Sequence, residues 1–449
     1  MGIVSLLVFI AVTVLVNVVL HRNIAEALLL ALVACAVLGG TDGPRMLYDG
    51  IIKGSQSDVV YAGVAFVFMG VIVQATGLIH RLITILNSVF GRVRGGAAYV
   101  STFGSALIGL VAGNTAGNAA TVGSVTIPWM KETGWSNTKA ASLVAGNSGL
   151  GVALPPNSTM FILLALPAAA GATSSGVYVA LACAGAYAVL YRLGVVWLWT
   201  RRDGIPPTPV EDREPFGQAV REGWKSPLIF IGLVLPVILT VGPLSDWLAR
   251  EENIGEGGVG SISIIVWVPV LITLIALVEG WKIIRREPKR FLGEIRGEVG
   301  QFATVGVSLF ASLAAASVME DLGVGTQLAD FLTSFSLGKW AMLLLVVIVV
   351  VIVATPLSST ATAAAIGAPA IAALTSVGID PTVAIIVVLL CTCTEGASPP
   401  LGAPLFLAAG MAEAKPVKMF MPLAAYFVLP MMVLAWLVGM GYLPIYVPA

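Results

Sequence analysis

Two stretches of this chain place small, oxygen-bearing side chains where an otherwise apolar sequence is interrupted. Asn114, Thr115 and Asn118 lie in the first; Ser358, Ser359, Thr360 and Thr362 lie in the second. Each is followed, at the same spacing, by a proline pair: Leu154-Pro155-Pro156-Asn157-Ser158 and Ser398-Pro399-Pro400-Leu401-Gly402. Proline removes a backbone donor and disfavours helix in the residue before it, so each pair cuts a helix in two. The cut frees carbonyls at one half-helix end, which suit a hard cation such as sodium, and N–H groups at the other, which suit a carboxylate. Around the first cut the cation-type donors are Asn114, Asn118, Gly151 and Pro155. Around the second they are Ser358, Thr362, Thr394, Gly396 and Pro399. The residues placed to hold an anionic ligand are Asn114, Thr115, Asn157, Ser158, Ser359, Thr360 and Gly402. Small residues also let membrane helices pack closely, and either stretch alone leaves both readings open.

The duplication favours a site. A shift of 244 residues superposes Ala119 on Ala363, Gly123 on Gly367, Gly134 on Gly378 and one proline pair on the other, without a gap. Interrupted apolar segments at matching places in two halves mark the binding site of a transporter. Composition agrees: hydrophobic residues make up 58% of the chain and charged ones 11%, which excludes an ordinary soluble globule. Apolar runs recur from end to end, so the expected fold is an all-α polytopic membrane protein.

The elements that must position these residues follow from the apolar runs. Residues 1–40 supply two N-terminal spans; in the first, Arg22 follows the apolar run instead of preceding it, the reverse of a secretory signal, so a retained helix starting outside is expected. The first copy occupies 41–200, with a hairpin at 97–131 and a broken helix at 138–171. Residues 201–280 hold a charged linker and two connecting spans. The second copy occupies 281–412, with a hairpin at 340–376 and a broken helix at 382–412, and 413–449 carry a last span. Neither hairpin limb comfortably reaches the roughly 20 residues that a crossing requires, so the hairpins are re-entrant and their tips buried in protein. Residues 42–57 and 281–297 are amphipathic and read as short interfacial helices, the second including Trp281 and Ile284.

Counting crossings gives the spans 58–79 and 299–320 opposite directions, which makes the two repeats inverted. The same count puts 20 of the 24 Lys and Arg on one face and Arg45, Lys53, Arg250 and Lys339 on the other. The positive-inside rule then makes the rich face cytoplasmic and both termini external. Glu395, at membrane depth in the second cut, reads either as a cation ligand or proton carrier, or as a structural acid satisfied by hydrogen bonds. The four cysteines sit in apolar segments without histidine neighbours, and no Ser/His/Asp constellation or phosphate loop is present, so no enzyme chemistry is expected.

Gly113 to Met130, Lys131-Glu132-Thr133-Gly134-Trp135 and the Leu154–Ser158 break resemble the large membrane subunit of TRAP (tripartite ATP-independent periplasmic) transporters of the ion transporter superfamily. Ile127-Pro128-Trp129-Met130-Lys131 and Gly134 match that family's I-P-x-M-K-x-x-G stretch, and Ser398–Gly402 with Leu405-Phe406-Leu407-Ala408 resemble its T-P-P-V-G…L-F-V-A segment. The resemblance covers about residues 40–440 and implies an elevator-type transporter in the bacterial inner membrane. It also implies Na+ as coupling ion, an organic-acid substrate, a small membrane subunit of four spans and a periplasmic substrate-binding protein. The sodium sites it implies are built from carbonyls, for which Glu395→Gln would be tolerated. The second tip departs from the family and, with Asn114-Thr115, is similar to the Ser-Asn-Thr motifs of self-sufficient sodium/di- or tricarboxylate symporters of the same superfold. A membrane subunit of a sodium-pumping decarboxylase, with Glu395 as ion carrier, is the third reading.

Overall fold

The computed structural model describes residues 1–446 apart from 57, 113–114, 209–214, 241–242, 325–326, 328–337, 356 and 400–401, and the described residues are helix, turn and coil without strand. The first group of helices is α1 (Gly2–Val14, continued by a π turn at Leu15–Val19), α2 (Ile24–Val37), α3 (Gly43–Ser55), α4 (Asp58–Ala75) and α5 (Leu78–Phe90). The first hairpin is α6 (Gly96–Ala112) and α7 (Thr115–Glu132); the first broken helix is α8 (Asn137–Ser148) with α9 (Leu150–Ala153), then α10 (Ser158–Leu164). After α11 (Ser174–Arg202) come α12 (Phe216–Gly223), α13 (Ile229–Thr240), α14 (Pro243–Leu248), α15 (Gly255–Gly260), α16 (Ile264–Arg286), α17 (Pro288–Gly297) and α18 (Val299–Asp321). The second hairpin is α19 (Lys339–Ala354) and α20 (Ser359–Ser376), and the second broken helix is α21 (Pro381–Thr392) and α22 (Ala403–Ala412). The last span is α23 (Pro416–Leu423), a π turn and α24 (Leu429–Met440).

The landmark glycines of the duplication have a local cause. Gly134 and Gly378 sit just past α7 and α20 at φ +93° and +78°, where an L side chain is strained. In both, the next residue closes the helix with the same long bond: Trp135 N–H to the Met130 carbonyl at 2.9 Å, Ile379 N–H to the Leu374 carbonyl at 3.1 Å. Gly123 and Gly367 serve packing. A Cβ on Gly123 would lie 2.6 Å from Met411 of α22, and one on Gly367 would lie 2.4 Å from Leu163 of α10. Each hairpin limb therefore packs against the half-helix of the other copy: α7 on α22, α20 on α10.

The hairpins, broken helices, α11 and α24 form an inner group, and α1–α4, α13 and α16–α18 pack outside it. The two broken helices cross where a Cβ on Gly149 would come 2.1 Å from the Cys393 carbonyl oxygen. Between the groups, α20 lies against α18 and α1. An apolar cavity of about 260 Å³ remains at that seam, lined by Leu6, Ala316, Met319, Ala364 and Ala368 with Glu320 beside it.

Four expectations change. Helix α3 does not lie flat in the interface: its glycine face packs antiparallel on α18, Gly50 over the Ala314 carbonyl and Gly54 over that of Phe310. Helix α4 continues along the same neighbour, with Phe68 against Phe302, so the number of crossings is unchanged. Trp281 and Ile284 belong to α16, and the separate amphipathic helix begins only at Pro288. The expected span 58–79 is followed by a further helix that the apolar runs did not mark: Leu78, Leu82 and Ile83 recur at helical spacing and bury one face of α5, and α12 from the linker packs on it. Finally, Arg192 does not belong to a charged face. It is 1% exposed, about ten residues or roughly 15 Å short of the α11 end at Arg202.

The crossing of the broken helices tolerates no added atom, since the obstacle at Gly149 is backbone. Gly149→Ala is expected to cost about 2 kcal/mol or more, seen as a lower melting temperature in detergent. Gly194→Ala in α11, where a Cβ meets open space, is expected to be neutral or stabilising by up to about 1 kcal/mol.

Candidate functional site

Residues 115 and 359 are the first helical positions after the two hairpin tips, and they are 244 residues apart. Both meet one side chain. The Thr115 hydroxyl donates to Glu395 Oε1 at 3.1 Å, and the Ser359 backbone N–H donates to Glu395 Oε2 at 2.8 Å. Glu395 opens the short 3₁₀ turn of the second cut and is 7% exposed. Its counterpart under the same shift is Gly151, which has no side chain, so of the two corresponding positions one holds a carboxylate, and both tips meet it. A carboxylate at the N-terminus of α20 is favoured by the helix dipole, worth roughly 0.3–2 kcal/mol according to burial.

Backbone chemistry builds the rest. In the second hairpin the Ser358 hydroxyl caps α20 by accepting from Ala361 N–H at 3.2 Å and lies 3.0 Å from the Thr360 hydroxyl. Thr362 donates to the Ser358 carbonyl and Thr394 to that of Cys391, so each hydroxyl oxygen keeps its lone pairs for another ligand. In the second cut, the carbonyls of Glu395, Gly396 and Ser398 converge on Gly402. An atom at the Gly402 Cβ position would lie 2.6 Å from the first and 3.3 Å from the other two. Glycine keeps that oxygen cradle open.

The first cut is arranged differently. Asn157 Nδ2 donates to the carbonyls of Val152 and Leu154 at 2.9 and 3.0 Å, and its Oδ1 caps α10 at Met160 N–H. Arg192 donates from Nε and Nη2 to the Gly146 carbonyl near the C-end of α8. A fixed cation and a fixed amide thus occupy positions that sequence reasoning offered to an ion. Asn118 ties α7 to α6 through the Ser105 carbonyl at 2.8 Å, while its Oδ1 has no partner among the described residues.

Of the sequence-derived residues, Thr115 and Ser359 meet at one carboxylate, and Gly396 and Gly402 share the cradle. Gly151 lies in α9 and Pro155 in the first cut, Ser158 opens α10, and Thr360 is partly buried at the second tip. Pro399 follows Ser398 in the second cut, and Asn114 lies outside the described residues. Arg192 was missed, although an arginine inside an apolar helix is a signal by itself.

The chain matches the family model described as "Tripartite ATP-independent periplasmic transporter, DctM component" over residues 3–442. It is 27% identical over 234 residues to the C4-dicarboxylate TRAP transporter large permease protein DctM of Pseudomonas aeruginosa, covering 52% of each chain. It is 25% identical over 361 residues to the isethionate TRAP transporter permease protein DctMQ of Oleidesulfovibrio alaskensis, covering 78% of this chain and 52% of that one. The chain thus spans about half the length of these curated relatives. Among solved structures, the Alcanivorax borkumensis YdaH transporter has the same fold, with a TM-score of 0.63 at 16% identity over 90% of this chain and 89% of that one.

If one carboxylate joins the tips, cysteines at 115 and 359 lie within reach of a short bifunctional thiol reagent. Thr115→Cys/Ser359→Cys is expected to crosslink, and a Ser124→Cys/Ser359→Cys control, more than two turns down α7, is not. Asn157→Ala leaves two carbonyls and one N–H without partners and is expected to cost about 1–3 kcal/mol, read as a loss of thermal stability.

Proposed function

The chain belongs to the DctM-component family of tripartite ATP-independent periplasmic transporters, a family of permeases and not of enzymes, and from that premise we propose that it is the large permease subunit of a sodium-driven importer of an organic acid. The observation that carries this reading is the meeting of Thr115 and Ser359 at Glu395. Two tips converging at one buried point are what a carrier needs to hold cargo in the membrane and reach it from either side. The oxygen cradle at Gly402 supports sodium as the coupling ion, because carbonyl and hydroxyl oxygens bind a monovalent ion weakly enough to release it. By the family's name and by the DctMQ relative, the partners proposed are a small membrane subunit of four spans and a periplasmic binding protein that delivers the cargo.

The cycle proposed is an elevator, in which the inner group, built on inverted repeats, slides against the outer one. Exposure supports a state open on the side of hairpin 1. Helix α20 is buried along most of its length against α18, α1 and α10, whereas α7 exposes Gly117, Ala120, Ser124 and Pro128 in one stripe. That stripe of small and polar residues does not suit lipid, but it suits a water-filled vestibule. Arg92, Arg94 and Lys131 stand at the base of this hairpin, which supports reading that side as cytoplasmic and both termini as periplasmic.

The test is uptake by proteoliposomes holding the permease and its small subunit, with the binding protein outside. An inward sodium gradient is expected to drive uptake, and Thr360→Val to raise the half-maximal sodium concentration about tenfold, the equivalent of 1.4 kcal/mol. Equal uptake on a proton gradient in sodium-free buffer would sink the sodium reading.

A further inference from the structure

The outer group contains one helix that close packing does not hold. The 244-residue shift carries α3 onto α17 and puts Glu287, Glu294 and Glu298 where α3 has Gly43, Gly50 and Gly54. Gly50 and Gly54 let α3 press onto α18; glutamates at the matching places keep a neighbouring backbone away. Two of them turn to Arg290 of their own helix, Glu287 at 3.2 Å and Glu294 at 3.0 Å. No residue of α17 is buried, while Phe291 and Ile295 lean on the core.

The other face of α17 is built of cations and apolar carbon. Lys289, Leu292 and Arg296 follow one another at three and four residues, so they share one side of the helix, and all three are exposed. The end of α16 adds Lys282, Arg285 and Arg286, also exposed. Residues 281–298 hold six Lys and Arg against three Glu. Of the six, Arg290 is the one with an ion pair among the described residues. Helix dipoles favour Arg285, Arg286 and Arg296, each in a last turn, but Lys289 stands in the first turn of α17, where the dipole disfavours a cation. Like charges this close repel one another, and an external anion turns that cost into attraction.

Tryptophans mark the level of the patch independently. Trp197, Trp224 and Trp281 are 49–60% exposed. Arg201 lies over the Trp197 ring at 4.4 Å, Lys225 over the Trp224 ring at 5.6 Å, and Lys282 follows Trp281. Exposed tryptophan beside a cation belongs to the headgroup layer of a bilayer. Helix α17 starts seven residues after Trp281, so its charged face lies at phosphate level, with Leu292 able to reach the acyl boundary.

We propose that α17 and the end of α16 form a binding surface for anionic phospholipid of the cytoplasmic leaflet. The phosphodiester groups lie against Arg285, Arg286, Lys289 and Arg296, and the acyl chains run past Leu292. A free phosphate would meet the same cations, but only a lipid also uses the exposed apolar carbon of Leu292 and Trp281. From the permease reading the inference takes only the leaflet, and it is independent of cargo and coupling ion. Helix α3 is no such surface, since its Arg45 is held by Asp49 at 3.8 Å and its glycine face is covered.

The experiment is thermal unfolding of the purified full-length chain in dodecyl maltoside micelles, titrated with dioctanoyl phosphatidylglycerol at constant ionic strength. Dioctanoyl phosphatidylcholine and inorganic phosphate are the comparison probes. In the wild type, the anionic lipid is expected to raise the melting temperature saturably by roughly 5 °C, and the comparison probes are not. Arg285→Gln/Arg286→Gln and Lys289→Gln/Arg296→Gln are each expected to raise the half-saturating concentration about twentyfold, since each cation at an anionic surface contributes about a factor of five. All four side chains are exposed, so the variants keep the fold, and Lys289→Arg/Arg296→Lys, which keeps the charges, is expected to titrate like the wild type. The control pair Arg45→Gln/Lys53→Gln on α3 is expected to do the same. Equal responses to the two lipids, a response to phosphate alone, or an equal loss in the control pair would overturn the proposal. So would disappearance of the response once the small membrane subunit is bound, which would make α17 a protein contact. Binding is read without cargo or gradient, so a negative result strikes the lipid surface and leaves the permease reading standing.

Discussion

Backbone that leaves the helix inside a bilayer must find its hydrogen-bond partners within the protein, since lipid offers none. This chain interrupts its helices around both hairpin tips and both proline cuts, and among the described residues nearby groups close several of the bonds so freed. Asn157 reaches back to the carbonyls before it and forward to the next helix. Ser358 caps α20, and Arg192 crosses from α11 to the end of α8. Glu395 answers the N-terminus of α20 and the hydroxyl that opens α7 together.

The backbone of the two copies is alike while their charges are not. Equal C-caps at Gly134 and Gly378 and close packing at Gly123 and Gly367 keep the scaffolds comparable. The acid stands in one copy only, at Glu395 and not at Gly151, and Arg192 lies where the two broken helices cross, on the Gly146 carbonyl and beside Cys393. One carboxylate between the tips serves both of them, and a second one there would bring like charges into a dry site. A difference in charge at the tips is thus compatible with like helix ends and like packing contacts in the two copies.

Much of this frame was written in local chemistry that sequence reading can reach. Proline pairs specify cuts, and glycines at a constant offset turned out to be helix ends and close contacts. What stayed hidden needed three dimensions. That Thr115 and Ser359 meet depends on how the hairpins face each other, which no spacing along the chain encodes. Asn157 looked like a ligand because its type fits one; its amide is occupied by carbonyls that become neighbours only once the cut is folded. Helix α3 looked interfacial from its charged side, but its glycines, silent in a hydrophobicity pattern, let it pack on α18. Arg192 was counted among surface charges, and the sequence did hold the warning: Tyr191 and Arg192 lie well inside an apolar helix.

The exchange of partners between copies has a consequence for how the molecule is made. Helix α7 rests on α22 through Gly123 and Met411, and α20 rests on α10 through Gly367 and Leu163. During synthesis the first hairpin leaves the ribosome with its neighbour still about 290 residues away, a minute or less of translation at roughly 5–20 residues per second. Throughout that interval a limb with a polar start at Thr115 and a groove at Gly123 has no permanent cover. The first hairpin therefore gains its cross-copy contacts only once the second half has been made.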